Sequence, residues 1–165
     1  MSSSDRRAFL TLLVAGGLAA CGFEPAYGPD GPAAGLLGRV TVDAPDDRDA
    51  FDLVARLEDR LGRTRTPEFR LSYRITTKTE PQAIAPDNTI NRYQLLGSVA
   101  FTLHDTGTGA ALTSGEVSSF TAYSAFGTSV ATAASEADAH RRLMRILADQ
   151  IVTRLIATSA DWKRQ

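Results

Sequence analysis

The sequence is poor in the side chains that most enzymes and metal sites use. Its 165 residues include one cysteine, two histidines and only two lysines, and the formal charge is −1. No basic block is present to neutralise a phosphate backbone, which argues against nucleic acid as the main partner. No spacing of His, Asp and Glu resembles a metal motif, and neither G-x-S-x-G nor a Walker loop occurs. We therefore expect no metal and no cofactor.

The chain also lacks an apolar run long enough to cross a membrane. Residues 8–20 carry no charge, but such a helix spans only about 20 Å, whereas a bilayer needs roughly 20 residues. A short head with Arg6 and Arg7 precedes this run and small residues end it, which predicts a secretory signal peptide over residues 1–20. Residues 6–10 fit a twin-arginine signal as well as an ordinary basic head, so both export routes stay open.

Cys21, the only cysteine, follows directly on Leu18-Ala19-Ala20. These four residues together resemble the lipobox of bacterial lipoproteins, in which the signal peptidase cuts before a cysteine that carries diacylglycerol. The resemblance implies that Cys21 becomes the first residue, acylated with chains such as palmitate. Each buried methylene contributes about 0.8 kcal/mol, so two or three chains give long-lived attachment. Gly22 follows instead of aspartate, which in enteric bacteria resembles the default for passage to the outer membrane.

The mature chain divides into a tether, one domain and a tail. Residues 21–37 hold Pro25, Pro29 and Pro32 among several glycines, a composition that propagates neither helix nor central strand. We predict a flexible tether there, a single domain over residues 38–160 and a short tail over 161–165. Without the signal peptide the formal charge is −2, and the remaining length suits one domain with its own core.

Hydrophobic periodicity predicts the order β-α-β-β-β-α. A short strand at 38–43 is followed by a helix that begins near Asp46 or Asp47 and ends at Gly62. Alternating residues then predict three strands of an antiparallel meander, and a long amphipathic helix closes the domain. The three strands are placed at 68–79, 92–105 and 111–125, and the last helix at 129–158.

The apolar stripes of the two predicted helices need a surface to cover, and the apolar face of the sheet supplies one. The stripes contain Phe51, Val54, Leu57 and Leu61 in the first helix, and Leu143, Leu147, Ile151 and Leu155, widened by Met144, Ile146, Val152 and Ile156, in the second. The predicted fold is α+β, a two-layer sandwich with two helices packed on one face of a largely antiparallel four-stranded sheet. The first strand can pair in parallel, because the helix after it permits a crossover.

Asp105-Thr106-Gly107 matches the D-T-G of aspartic proteases, where two such aspartates share a proton. The triplet occurs once, and between two strands it is also an ordinary hairpin turn, which we favour. His104 at a strand end and His140 on the polar side of the last helix are expected to have structural roles.

The polar side of the second strand carries the best candidate for a binding site. Arg70, Arg74 and Lys78 stand four residues apart, about 13 Å between neighbours along a strand. Arg92 begins the next strand and can lie beside them. Guanidinium groups on a rigid strand suit bidentate contacts to phosphate, so these four residues form a candidate strip for an anionic ligand or partner. The alternative is a solvated sheet face with ordinary charges.

The N-terminal residues and the order of secondary-structure elements together resemble the LPS-assembly lipoprotein family LptE, in its alphaproteobacterial form. The likeness covers nearly the whole chain and is carried by Cys21-Gly22-Phe23-Glu24-Pro25-Ala26-Tyr27-Gly28 and by the closing helix with residues 147–155. The resemblance implies a non-enzymatic, lipid-anchored outer-membrane protein, with its domain in the periplasm or the lumen of the β-barrel LptD. It would plug that barrel, assist its assembly and bind lipopolysaccharide, with Arg70, Arg74, Lys78 and Arg92 meeting lipid A phosphates or acidic groups of the barrel.

Three other functions fit the residues less well. An auxiliary lipoprotein of an inner-membrane ABC-type lipid transporter would share the lipobox and the fold and differ in its partner. A small periplasmic hydrolase would have to use Asp105. A purely structural envelope lipoprotein would leave the basic strip as a solvated surface.

Overall fold

The computed structural model describes residues 27–28, 31–84, 90–125 and 128–162. The predicted signal peptide and Cys21 lie outside these residues. A single 3-10 turn comes first, followed by the six elements that the sequence predicts. The 3-10 turn spans Pro32–Gly35. The six elements are β1 (Val40–Val42), α1 (Arg48–Leu61), β2 (Phe69–Ile84), β3 (Ile90–Asp105), β4 (Ala111–Ser124) and α2 (Ser129–Trp162).

The four strands form one sheet in the order β1-β2-β3-β4. β1 pairs with β2 in parallel, and the other two pairs are antiparallel. The parallel pair needs a crossover, which α1 provides. The predicted α+β fold, its element order and the parallel first pair are confirmed.

The ends of α1 follow from two residues. The Asp47 carboxylate accepts a hydrogen bond of 2.7 Å from the backbone N–H of Ala50, so Asp47 is the N-cap. Gly62 ends the helix with a φ of +80°, a conformation that glycine adopts at little cost. The predicted apolar stripe is wrong at Phe51, which is 62% exposed, because Ala50 and Leu53 turn inward instead.

α2 lies across the sheet and packs on α1 along its middle. Leu143, Leu147, Ile151 and Leu155 are fully buried, as their spacing predicts. Ile146 was expected to widen the stripe, but it is 38% exposed because it lies at the solvent edge of the packed face. Within the described residues, no helix combines the length and apolar character that a membrane crossing requires.

The core lies between the helices and one face of the sheet. Odd-numbered residues of β2 and β3 point into it, among them Leu71, Val99 and Leu103, together with Val117 of β4. The even-numbered residues of these strands therefore point to the opposite face. Neither helix covers that outer face, so its side chains decide what the sheet can bind.

β2 continues past the predicted end at residue 79 because Pro81 does not interrupt it. β1 covers β2 only from Phe69 to Leu71. On the side of β2 that faces β1, the backbone N–H groups that point outward belong to odd-numbered residues. The hydrogen bond from the Phe69 N–H to the Arg39 carbonyl is an example. The nitrogen of Pro81 faces the same side beyond β1, where no ladder hydrogen bond is lost.

β4 forms the other edge of the sheet, and arginines from α2 partly cover it. Arg142 and Arg154 each donate a hydrogen bond of 3.3 Å, to the carbonyls of Ala122 and Glu116 respectively. These bonds occupy acceptors that a foreign strand would otherwise pair with.

Part of the predicted tether belongs to the packed domain. Ala33 and Leu36 are completely buried in the core, and the Gly38 N–H donates to the carbonyl of Leu61 at the end of α1. The composition of residues 31–37 excludes a long helix or a central strand, but it permits the 3-10 turn, which brings both apolar side chains inward. The domain therefore begins before residue 38, earlier than the composition predicted.

Candidate basic site on the outer face of the sheet

The outer face of β2 carries Arg70, Arg74 and Lys78 in one row, as their even numbering requires. In the β2–β3 register they lie opposite His104, Ala100 and Leu96. The three cations share a face and stand about 13 Å apart along the strand. They differ in whether an acidic side chain already neutralises them.

Arg70 is engaged by Asp43, the residue after β1. Its Nε lies 2.7 Å from Asp43 Oδ1 and its Nη2 lies 3.1 Å from Oδ2, a bidentate pair. This hydrogen bonding raises the pKa of Arg70 above its ordinary value. The pair joins the end of β1 to β2, so Arg70 has a structural partner that any anionic ligand would have to displace.

Lys78 is paired within its own strand. Its Nζ lies 2.7 Å from Oε1 of Glu80, two residues later on the same face. The hydrogen bond to Glu80 raises the pKa of Lys78. Both side chains are largely exposed, so the pair is weak and water or a ligand can compete with it.

Arg74 stands between these two pairs and is exposed. Within the described part of the chain, no acidic side chain forms an ion pair with it. Ala100 lies opposite it on β3 and Glu116 lies next in the same row on β4. The small side chain of Ala100 leaves the guanidinium accessible, so Arg74 is the most available cation of the row.

Arg92 does not lie beside this row, contrary to the expectation. It pairs with Ala83 and Ser124, at the far end of the β2–β3 hairpin. It lines a separate surface recess with Asp138 and Arg142 of α2. The hydrogen bond from Arg142, 2.8 Å long, lowers the pKa of Asp138. Antiparallel pairing places Arg92 opposite Ala83. How far this position lies from the row depends on the length of the β2–β3 hairpin.

A shallow groove of about 410 Å³ crosses the same outer face. Lys78 and hydroxyl side chains, including Ser98 and Ser118, line it beside the apolar Leu96 and Phe120. The Phe120 side chain is 62% exposed. The face therefore places one cation, several hydroxyls and an exposed aromatic ring next to one another, and Arg74 stands four residues before Lys78 in the same strand.

Asp105 forms the predicted turn. Its Oδ1 accepts hydrogen bonds from the backbone N–H of Thr108 at 2.7 Å and from the Thr108 hydroxyl at 2.9 Å. These bonds lower its pKa. A carboxylate held in this way stabilises the turn, and this arrangement accounts for the D-T-G triplet.

Both histidines contact side chains of neighbouring elements. His104 Nε2 lies 3.2 Å from the hydroxyl of Ser72, and His140 Nδ1 lies 2.8 Å from Oδ2 of Asp49, which links α2 to α1. Among the described residues, no three His, Cys, Asp or Glu side chains are grouped to hold a metal ion.

A second charged cluster, which no sequence pattern indicated, lies on the helical layer. Asp149 of α2 accepts hydrogen bonds from Arg56 and Arg60 of α1, the latter 2.7 Å long. Arg60 also donates a 2.7 Å hydrogen bond to the Tyr27 hydroxyl. The i, i+4 spacing of the two arginines is visible in the sequence, but their partner lies about ninety residues away, and only the fold brings it near.

Solved structures with the same fold include several bacterial lipoproteins. A candidate lipoprotein of Caulobacter crescentus CB15 has a TM-score of 0.65 at 23% identity, covering 78% of this chain and 95% of its own. The minor lipoprotein of Acinetobacter baumannii gives 0.59 at 18% identity, with 73% and 92% covered. Rare lipoprotein B of Shewanella oneidensis gives 0.58 at 13% identity, with 76% and 97% covered. At these identities the likeness shows the fold alone.

Sequence comparison gives the family. No curated protein sequence matches the chain. The model of the family LptE, described as lipopolysaccharide-assembly, matches residues 37–155, which is most of the chain and nearly the whole packed domain. The chain therefore belongs to the LptE family of lipopolysaccharide-assembly lipoproteins.

Proposed function

We propose that this protein is an outer-membrane lipoprotein, acylated at Cys21, that plugs the LptD β-barrel, assists its assembly and binds lipopolysaccharide during insertion at the cell surface. Family membership supports the assembly role. The observation that carries the binding role is the uncovered outer face of the sheet, with Arg74 exposed and outside any ion pair among the described residues. No catalytic step is part of this proposal.

The chemistry of the outer face suits an amphipathic anion. Lipid A carries phosphates beside acyl chains, and a guanidinium binds phosphate through two parallel hydrogen bonds. Arg74 is available for such a contact without breaking an existing pair. Lys78, whose pair with Glu80 is weak, and the exposed Phe120 next to it extend the same surface. Arg70 would contribute only after release from Asp43, and Arg92 would act as a separate contact at the hairpin end.

The proposed role as a barrel plug is tested by identifying the proteins that remain bound to this protein when it is purified from its own cells. A C-terminally tagged protein is purified from mild-detergent extracts, and the co-purified proteins are identified by mass spectrometry. A stoichiometric large outer-membrane barrel supports the plug. An inner-membrane ATPase with its permease, or no partner, contradicts it and favours the transporter auxiliary or the structural lipoprotein.

The binding role is tested by charge reversal at Arg74. Arg74→Glu should lower lipopolysaccharide binding several-fold with little change in thermal stability, because Arg74 holds no ion pair in the described structure. Arg145→Glu is the matched control, since Arg145 is an exposed arginine on the helical layer. If Arg74→Glu combined with Arg70→Glu leaves both lipopolysaccharide binding and barrel association unchanged, the basic row has no such role.

A further inference from the structure

We propose that Tyr27 latches the anchored end of the chain onto α1 and thereby holds the loop Gly62–Pro67 against anionic lipid headgroups. This inference rests on the acylation of Cys21, which is part of the proposed function. It adds a second membrane contact, made by the folded domain itself, and it fixes which end of the domain faces the lipid.

The latch is a hydrogen bond from the domain to the segment that precedes it. Arg60 Nη2 donates to the Tyr27 hydroxyl at 2.7 Å, and this bond is the main reason that the pKa of Arg60 is raised. The same guanidinium donates through Nη1 to Asp149 Oδ1, also at 2.7 Å. Arg56 contacts both oxygens of Asp149. Tyr27 therefore binds an arginine whose position is already fixed by the contact between the two helices.

The described residues between Tyr27 and the core are held by a backbone hydrogen bond and by burial. The Gly31 N–H donates to the Gly28 carbonyl at 3.0 Å, and Ala33 and Leu36 are fully buried. Tyr27 lies six positions after Cys21, and an extended chain of six steps reaches at most about 20 Å. With the latch closed, the end of α1 that carries Arg60 must lie within that reach plus the length of the Tyr27 and Arg60 side chains from the acylated residue.

The loop that follows α1 is suited to a negative surface. Gly62-Arg63-Thr64-Arg65-Thr66-Pro67 contains two arginines and no acidic residue. Arg63 is 82% exposed and pairs only with Glu58 on the helix, and Arg65 is exposed and forms no ion pair within the described residues. Basic side chains next to a lipid anchor are attracted by anionic headgroups. The loop begins two residues after Arg60, so the latch brings it to the membrane.

The opposite end of the domain then points away from the lipid. β2 starts at Phe69, just after the loop, and runs away from it. Thr79 lies ten residues farther along this strand, about 33 Å away. Thr66 and Thr79 are both exposed threonines, one in the loop and one distant from it, so they provide a matched pair of labelling positions.

The test measures the distance of each position from the lipid surface in the acylated full-length protein. Thr66→Cys and Thr79→Cys are labelled with a donor fluorophore, since acylation leaves the Cys21 sulfur unreactive and the chain has no other cysteine. The proteins are placed in vesicles of phosphatidylethanolamine and phosphatidylglycerol with an acceptor on the headgroups. Energy transfer should be several-fold higher from position 66 than from 79, and Tyr27→Phe should remove most of this difference.

The lipid contact has its own readout. Arg63→Gln with Arg65→Gln should reduce transfer from position 66 in these vesicles but not in phosphatidylcholine vesicles. Equal transfer from positions 66 and 79 in the latched protein, or no effect of Tyr27→Phe, would overturn the inference and leave the anchor intact. Protein that fails to float with the vesicles would show that the acylation itself is wrong, and the inference would fail with it.

Discussion

Gly97 of β3 and Leu143 of α2 approach so closely that a side chain at position 97 has no room. A Cβ placed on Gly97 would lie 2.8 Å from Cδ2 of Leu143 and 3.3 Å from Cδ1 of Leu147. The missing side chain lets α2 settle against the middle of the sheet. The relationship explains why a glycine stands in the interior of a long strand, where it otherwise weakens the structure.

Gly97→Val should destabilise the fold by about 1–3 kcal/mol, because the added methyl groups overpack a buried contact. Valine favours strands, so a loss of stability would come from the clash with α2 and not from strand propensity. Ser98→Val, on the outer face of the same strand, is the control and should change stability little. Urea unfolding of the three proteins gives the comparison, and equal midpoints for all three would show that α2 does not pack on Gly97.

Leu36→Ala should lower the free energy of unfolding by about 2–5 kcal/mol, the usual cost of truncating a buried leucine. Leu36 is completely buried, although its surroundings in the sequence resemble a linker. Leu37→Ala is the neighbouring control, since Leu37 is 39% exposed. Chemical denaturation of both variants measures the difference. If the two variants unfold alike, the segment before residue 38 contributes nothing to the domain.

Asp149→Asn should destabilise the domain by about 1 kcal/mol at low ionic strength, because it removes the carboxylate shared by Arg56 and Arg60. The loss should shrink at high salt, since these side chains are partly exposed and their attraction is screened. Asp138→Asn is the control, in which an exposed pair within α2 is broken. Thermal unfolding at two salt concentrations distinguishes them, and a loss that does not depend on salt would argue against an ionic origin.

Asp105 should make stability fall in acid. Its pKa is lowered in the folded protein by hydrogen bonds from Thr108, so its contribution is complete above the unfolded value of about 3.9 and is lost as the pH falls towards the folded value. Asp105→Asn keeps an oxygen acceptor for the Thr108 N–H but does not titrate. The difference in melting temperature between pH 6 and pH 3 should be smaller in this variant than in the parent.

The control for this titration is Asp52→Asn, which removes a carboxylate from the second turn of α1 and leaves the Asp105 turn untouched. It should keep the acid sensitivity of the parent more closely than Asp105→Asn does. An Asp105→Asn protein that loses as much stability in acid as the parent would show that the turn does not hold the carboxylate in its charged form.

The sequence alone determined the fold class and most of the elements. Alternation in the strands and the four-residue steps of the last helix indicate which side chains are buried. Both patterns can be recognised from residues that are close together in the sequence. Asp47 and Gly62 ended α1 where predicted, because capping depends on adjacent residues. The prediction that Phe51 is buried was wrong, because spacing alone does not define which residue lies at the centre of an apolar stripe. The elements against which the helix packs decide which side of it faces the core.

Only the tertiary structure decided which cations are available. Arg70, Arg74 and Lys78 share one spacing in the sequence, but only the fold brings Asp43 to Arg70. Glu80, two residues along the same strand, pairs with Lys78, so Arg74 stands out. The Arg56–Arg60–Asp149 cluster and its contact with Tyr27 likewise join segments that are far apart in the chain. Local patterns specify the periodicity and the ends of elements, whereas partners between distant segments depend on register and helix packing, which follow from the whole core.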